Sequence, residues 1–559
     1  MSSLWNHYIR ISSGVAQCKY CKIQYNTKKT TSSLRYHIKN KHPEKCQPTT
    51  LIGEIDSDSQ SEAENDPSTQ ENSNKRPRLS IPRKEYYSHR LYGLYDAVRN
   101  KLLSSLNQFP YVSITTDGWS SRANNSFVTI TVHGIDDQWN LSSFTLDTLE
   151  MLESHNATNT YNHLAKTLND WNLYDKVIAV VHDNARYMVA TVRDNWEADD
   201  DIEISVRCFC HTLQCAVETA LKECNLKDCL QRVSAIVGHF NKHSNKASTA
   251  LENAQKKHHL PTHRLISHSP TRWNSAYDMV ERLVEQRKAV ECVLLDKEIT
   301  TKKMMKKLLL NESDWTYLRD VIKIFKPFEV ATRLMSSESQ STLSMVRPTV
   351  YSLLKKFLLQ QDDDSENISL LKEILEKELT TRFLTNTNVT CCAIASYLNP
   401  RYKDLADEEE SYRDKIKEKL KEMRERITVN EPDLSKNQRE RDLDYLFDPV
   451  RGLSGNLQRM ASLEGQSAIE KEMIKYEREP TIPKSDNPLL WWNSKRNKFP
   501  ILANFARKFL CIPPSSTLSE RVFSTAGNII SAKRSCLSPE TANLLIFLYQ
   551  NRDMIEKLD

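Results

Sequence analysis

Residues 176–183, KVIAVVHD, leave few folds open. A short apolar run rich in β-branched residues fills a buried central strand, and this one ends in Asp183, followed by Asn184. A second β-rich run, YVSITTD (111–117), ends in Asp117. NSFVTITVHGI (125–135) and WNLSSFTLDTLEM (139–151) follow as further strand candidates, so the three in succession predict an antiparallel meander. Two strands thus carry carboxylates at their tips.

If those strands are neighbours, Asp117 and Asp183 lie side by side at one edge of the sheet, where like charges need a cation between them. Magnesium or manganese suits hard oxygen ligands. Two such ions about 4 Å apart can activate a water or a DNA hydroxyl and stabilise the leaving oxygen, and three carboxylates are a common ligand set for that task. Glu520, at the start of a predicted helix in LSERVFSTAG (518–527), is the candidate third acid. Each acid alone has a plainer reading: an Asp after a strand caps a turn or helix, and Glu520 after Ser519 serves its own helix N-terminus.

The chain has 559 residues, 39% hydrophobic and 27% charged, enough for more than one core and roughly three or four domains. Thirteen cysteines, an odd number scattered along the chain, fit reduced thiols in a cytosolic or nuclear compartment, and no structural disulfides are expected. MSSLWNHYIRISSG has no apolar h-region and no stretch approaches the roughly 18 apolar residues of a membrane span, so neither secretion nor a membrane partner is expected. With a net charge of only +5, nucleic-acid binding must come from local basic patches. Ten glycines and Lys/Glu/Leu-rich tracts predict helix through the second half.

One such patch is N-terminal. Cys18-x2-Cys21, then fifteen residues, then His37-x4-His42 is zinc spacing: two thiolates on a knuckle and two imidazoles one helical turn apart close a tetrahedron. In so small a segment the metal supplies much of the folding energy, on the order of 10 kcal/mol. Trp5, Tyr8, Leu34 and Ile38 form the natural apolar lid. Residues 1–46 hold nine Lys/Arg against one acid, Glu44, more positive than the whole chain. Thr30 or Thr31 can cap the helix, which leaves Ser32, Ser33 and Arg35 near its N-terminus for base edges and Lys39 among the lysines near phosphates of double-stranded DNA.

Trp5 and Tyr8 ahead of CKYC, then SSLRYHIKNKH, resemble a BED-type zinc finger, a DNA-binding module of transposases and of nuclear proteins derived from them. Residues 47–73 then read as a flexible acidic tether, with seven acids from Glu54 to Glu71 and no Lys, Arg or aromatic residue. NKRPRL (74–79) is either a nuclear import signal or a few solvated charges at a domain edge.

The stretches TTDGWSS (115–121), VHDNARYMV (181–189), RCFCHTLQCAV (207–217), SPTRWNS (269–275) and LSERVFSTAGNIISAKRSCLSP (518–539) resemble, in the same order, motifs of the hAT superfamily of cut-and-paste DNA transposases. The resemblance implies an α+β multi-domain chain: a BED zinc finger (1–46), the linker (47–84), an RNase H-like α/β core (85–225), a large all-helical insertion after the fifth strand (226–470), and the remainder of the core with the hAT dimerisation region (471–559). Carried over position by position, the family's acidic triad falls on Asp117, Asp183 and Glu520. Its Cys-x-x-His falls on Cys208 and His211, where the imidazole would approach the scissile phosphate; otherwise these are a buried thiol and a helix-start histidine. Cys210 and Cys215 lack a distant pair for a second zinc. Trp273 matches the tryptophan stacked on a base turned out of the duplex, although by itself a Trp between Arg272 and Asn274 is a partly buried anchor.

The insertion shows apolar positions three and four apart, as in Trp315, Leu318 and Ile322, and no nucleotide motif; no small-molecule substrate is expected. Residues 408–427, EEESYRDKIKEKLKEMRERI, read as a solvated helix face. In 487–516, Trp491, Trp492, Phe499, Leu502, Phe505 and Leu510 crowd apolar area onto a predicted helix-turn-helix, which needs a neighbour: the core's own sheet or a second copy in a homodimer or higher oligomer. Function divides into a nuclear, zinc-dependent DNA-binding enzyme with magnesium or manganese, a transposase-derived transcription regulator without catalysis, and a nuclear assembly protein.

Overall fold

Alternation decides how the first long strand is used. In β4 (Val112–Ser120) Val112 and Ile114 are apolar and face one way, while Ser113, Thr115 and Asp117 face the other. The computed structural model describes residues 8–12, 15–21, 24–26, 84–120, 126–151, 156–196, 202–224, 226–242, 245–269, 272–337, 343–430, 467–529 and 538–556. These fall into two units, residues 1–81 and 82–559.

In the second unit β4 pairs along its length with antiparallel β5 (Ser126–Ile135), which pairs with β6 (Leu141–Met151), giving the expected meander. On its other side β4 pairs in parallel with β7 (Val177–His182), and β7 with β8 (Ser205–Arg207). The sheet order is β6-β5-β4-β7-β8, which makes the KVIAVVH segment an inner strand. Gly134 in β5 is required by close approach: a Cβ there would stand 2.5 Å from the Phe109 ring.

The two faces differ in chemistry. Val112, Ile114, Val128, Ile130, Val132 and Val180 meet apolar side chains from the helices Lys84–Asn107, Ala157–Asp170 and Pro539–Gln550. Opposite them lie Ser113, Thr115, Thr131 and His133, all buried. Part of this polar face is satisfied within the sheet: His133 contacts Thr131 at 3.2 Å and Ser143 at 2.8 Å, and Thr129 bonds Thr148 at 3.2 Å. Burial lowers the His133 pKa to about 3, so the imidazole is neutral.

After β8 the described residues are mostly helical, apart from the segment before Trp273 and short connections. The helices Leu226–Lys242, Asn245–Lys257, Trp273–Glu285 and Arg287–Leu295 enclose their own core, which Trp315 and Leu318 complete. Those two residues open the helix Glu312–Met335, which begins on a capping box of Asn311 and Asp314. Its later residues Phe325, Phe328, Ala331 and Met335 belong to the larger core beside the sheet, so one helix ties the two cores. The charge-rich stretch is the helix Glu410–Asn430, and it is more than a solvated face: Ile416, Leu420 and Met423, four and three apart, are buried.

The predicted helix-turn-helix is present as Pro488–Lys495 and Pro500–Leu510. Its apolar residues meet the chain's own core. Trp492, Phe499 and Leu502 are fully buried and Phe505 nearly so, and the Trp492 indole N–H donates to the Leu398 carbonyl at 2.8 Å. Trp491 is partly exposed and stacks on Phe499, with ring centroids 6.2 Å apart. At Trp492, Phe499, Leu502 and Phe505 the neighbour that this apolar density needs is the chain's own core.

The first unit shows a three-stranded antiparallel sheet, β1 (Tyr8–Ser12), β2 (Val15–Cys18) and β3 (Gln24–Asn26). Tyr8 pairs with Cys18, and both are buried. No described helix is long and apolar enough to cross a membrane.

Candidate active site

Register brings the two aspartates together. Thr115 is the partner of Val181 in the parallel β4–β7 pair, and two residues further along each chain stand Asp117 and Asp183. Both continue the sheet face of Thr115 and Val181. Asp117 is not at a strand tip as expected: β4 runs on to Ser120, and Asp117 pairs with Thr129 of β5. Asp183 does follow its strand, and there it also accepts the Ala185 amide at 3.1 Å, which orders the turn into the helix Arg186–Asn195. The same side chain orders a turn before the helix, whose N-cap is Ala185, and faces the site.

The C-terminal chain is laid over this polar face by a series of hydrogen bonds. Ser113 donates its hydroxyl to the Cys511 carbonyl at 3.0 Å, the Phe209 amide to the Pro514 carbonyl at 2.8 Å, and the Ser516 amide to the Cys208 sulfur at 3.4 Å. Thr115 and Ser519 then share a hydroxyl contact of 2.8 Å. Glu520 is the next residue and lies in the first turn of the helix Thr517–Ile529. That helix is fixed by Val522 and Ala526, which pack with Ile546 and Trp119, and Phe523 lies 5.6 Å from the Trp119 ring.

Electrostatics report the convergence. Burial, then the charges of Glu520 and Asp183, push the Asp117 carboxyl up to about 7, against the Gly118 amide and His211, which favour its anion. His211, half-buried in the helix Phe209–Glu223, is raised by its hydrogen bond with Cys215 and by the charges of Asp183 and Asp117. Three carboxylates and an imidazole, spread over 404 positions from Asp117 to His211 and Glu520, thus share one neighbourhood. Cys208 is fully buried at the start of that helix, where the plainer reading of a buried thiol holds.

Among the described residues no three His, Cys, Asp or Glu side chains are arranged to enclose an ion. Glu520 is engaged with a cationic side chain of the chain itself: its carboxylate accepts from the Arg272 guanidinium at 2.8 Å. A guanidinium supplies positive charge to a carboxylate cluster in the absence of a cation. The donor set itself, three carboxylates of which one is held near 7 by the other two and by burial, matches what a hard divalent cation binds.

Trp273 is placed differently from the base-stacking expectation. It is only 5% exposed, with its ring against Phe325 at 5.7 Å and close to Phe328 and Tyr277. The partly buried anchor is the reading that holds. The exposed partner at this point is Arg272, immediately before it, which sequence reasoning passed over. Tyr187 was also missed. It stands one helical turn after Asp183, its hydroxyl would lie 3.4 Å from a Cβ placed on Gly118, and burial with the charges of Asp183 and Asp117 pushes it up to about 12. The four-residue spacing in DNARY was the available signal.

In the first unit Cys18 is buried at the end of β2 and Cys21 half-buried in the following turn, neither in a disulfide. His37, His42, Ser32, Ser33, Arg35 and Lys39 lie outside the described residues, as does the basic cluster 74–79.

Family models match four consecutive parts of the chain: BED zinc finger at 2–43, ZBED1 RNase-like domain at 115–205, ZBED1 RNase-like helical domain at 206–324, and hAT family C-terminal dimerisation region at 472–552. By these matches the chain is similar to BED zinc-finger proteins at its start and to the hAT dimerisation region near its end. Human zinc finger BED domain-containing protein 4 is 26% identical over 86% of this chain and 41% of its own length. The putative AC transposase of Zea mays is 24% identical over 84% and 60%. The putative transcriptional regulator tpeD of Talaromyces stipitatus is 22% identical over 84% and 57%. The chain therefore spans about two fifths to three fifths of the length of these relatives. A BED finger implies structural zinc, and the dimerisation region suggests oligomerisation.

Proposed function

We propose that this BED-finger, hAT-related chain is a nuclear, dimerising DNA-binding protein whose second unit is an RNase H-like core that cleaves and transfers DNA strands. Zinc on Cys18, Cys21, His37 and His42 would fold the finger, and Ser32, Ser33, Arg35 and Lys39 would meet the DNA. Support for the core comes from the strand order β6-β5-β4-β7-β8, with β5 antiparallel and β7 and β8 parallel to the β4 side.

The observation that carries the catalytic reading is the approach of Asp183 and Glu520, acids from two other segments, to the buried Asp117 carboxyl, which burial and then their charges raise. Magnesium or manganese held by these three carboxylates would supply the activation of the attacking hydroxyl and the stabilisation of the leaving oxygen. The chain's own residues have separate tasks. His211, raised by its hydrogen bond with Cys215 and by the charges of Asp183 and Asp117, can donate to a phosphate oxygen. Tyr187, kept neutral by burial and the same aspartates, is a hydroxyl donor beside Gly118. Arg272 is positioned to hand its charge from Glu520 to a phosphate.

The test is nicking of supercoiled plasmid by the full chain with manganese or magnesium, compared with Asp183→Ala. The expected result is metal-dependent nicking that falls at least about 100-fold in the variant. Equal nicking by both proteins would remove the carboxylates from the chemistry.

A further inference from the structure

The segment from residue 256 to Arg272 contains no acid, and it holds Lys256, Lys257, Arg264 and Arg272 together with four histidines. It links the helix Asn245–Lys257 to the helix Trp273–Glu285. Lys256, Lys257, His258, His259, His263 and Arg264 are all exposed. A linker with this composition would ordinarily be free to move. Here its carbonyls are taken by side chains from the helices beneath.

Gln286 donates to the Pro261 carbonyl at 3.1 Å, Gln255 to that of His263 at 2.8 Å, Arg282 to that of Arg264 at 3.0 Å, and Asn241 to that of Leu265 at 2.9 Å. Gln255 and Gln286 are buried and bond each other at 3.0 Å, and Leu265 is buried as an apolar peg. Two acids touch the strap from those helices, Glu252 on Lys256 at 2.8 Å and Glu285 on His263 at 3.2 Å; the charge of Arg264 also reaches Glu252, but among the described residues neither Lys257 nor Arg264 is held in an ion pair. A cavity of about 490 Å³ adjoins the end of the strap, lined by His268, Ser269 and Arg272 and, from the facing helices, by Lys227, Gln231 and one acid, Glu218; Arg272 is also the partner of Glu520.

We propose that this strap is a second DNA-binding surface, separate from the finger, on which the sugar–phosphate backbone of duplex DNA is laid as it enters the carboxylate site. The proposal rests on the reading of that site as one that acts on DNA. A duplex presents a phosphate at regular intervals, and a rigid row of cations on a backbone whose carbonyls are turned inward binds it without reading sequence. Pinning matters because cations that are already ordered lose little freedom on binding.

The experiment uses the full chain with the finger silenced by Cys21→Ser, a fluorescein-labelled duplex of random sequence, and EDTA, so that neither zinc-dependent recognition nor cleavage enters. Residual binding is measured by anisotropy against salt concentration. Replacing Lys257 and Arg264 by Gln should lower the slope of log affinity against log salt by about 2, at about 0.9 per phosphate contact. Charge reversal at both positions should abolish the residual binding. The control double variant Lys377→Gln, Lys415→Gln, at exposed lysines elsewhere, should leave the slope unchanged, and melting temperatures should agree among all variants. The proposal is overturned if the finger-silenced chain has no residual binding, if the strap variant keeps the parent slope, or if the control lowers it equally. Tighter DNA binding by the strap variant would also overturn it, because the occupant would then be the chain's own acidic segment 54–71 competing for those cations. Failure of the carboxylate reading shows separately, as absence of metal-dependent nicking in the chain with an intact finger.

Discussion

Ser519 meets Thr115 at 2.8 Å across 404 residues of sequence, and the acid of the C-terminal helix is delivered by that contact. Thr115 also bonds Thr131, so the hydroxyl of Ser519 joins a chain of polar groups on the buried face of the sheet. Ser519→Ala should cost about 1 kcal/mol in urea unfolding, since Thr115 retains a partner. Plasmid nicking should fall further than stability, because Glu520 sits on the same turn. An unchanged nicking rate would show that this contact does not position the acid.

Stability should depend on pH through Asp117. Its carboxyl titrates near 7 in the folded chain and about 3.9 in the unfolded one, so the folded state holds a proton that the unfolded state has lost between those values. Stability from this group therefore falls as pH rises from about 4 to 7, by an upper limit of about 4 kcal/mol, and is level above. Asp117→Asn removes the ionisation cost. The variant should melt higher than the parent at pH 8 and at the same temperature near pH 4. Magnesium should raise the parent's melting temperature at pH 8 and leave the variant's unmoved.

Much of this arrangement was legible in the residues because it depends on period. Apolar alternation placed β4 to β7, and the acids after TTD and VVH followed from it. What period cannot give is the partner. The rings of Trp492, Phe499 and Phe505 read as apolar area in need of a neighbour, with the core and a second copy both open, and the chain's own core covers them. Asp117 was expected at a tip because the β-rich run YVSITTD ends there; pairing with β5 carries the strand on to Ser120. Arg272 and Tyr187 carry no motif of their own and became visible only once Glu520 and Asp183 had positions.

Arg272→Gln tests whether the guanidinium and a cation compete for Glu520. The pair is exposed on the arginine side, 66%, so its loss should cost under about 1 kcal/mol in melting without divalent metal. Manganese affinity, followed by electron paramagnetic resonance, should rise several-fold because a competing charge is gone. DNA nicking should fall all the same, since the arginine is no longer present to meet a phosphate. Weaker manganese binding would instead place Arg272 as a support for the ligand set.

The finger and the core should fail separately. Cys21→Ser removes one of four ligands, and because such modules draw their folding energy from the metal, zinc content should drop from one per chain to none, with loss of sequence-specific DNA retention. Glu520→Gln should leave both unaffected while abolishing nicking. Elemental analysis and gel retardation on the same preparations check the pair of outcomes.

His259 gives the most direct measure of what the strap is kept for. It ends the helix Asn245–Lys257 with a φ of 54°, and the Leu260 amide returns to the Gln255 carbonyl at 2.9 Å, the closing bond of a helix terminus that ordinarily uses glycine. A residue with a Cβ pays about 1 kcal/mol in this left-handed conformation, so His259→Gly should stabilise the chain by an amount up to that, less the added freedom of the unfolded glycine. If the imidazole is retained for DNA, the same substitution should weaken finger-independent binding in the assay above. Calorimetric melting and anisotropy on one variant then separate the two outcomes: higher stability with weaker binding assigns the histidine to the nucleic-acid surface, and higher stability with unchanged binding leaves the strap's function to Lys257 and Arg264 alone.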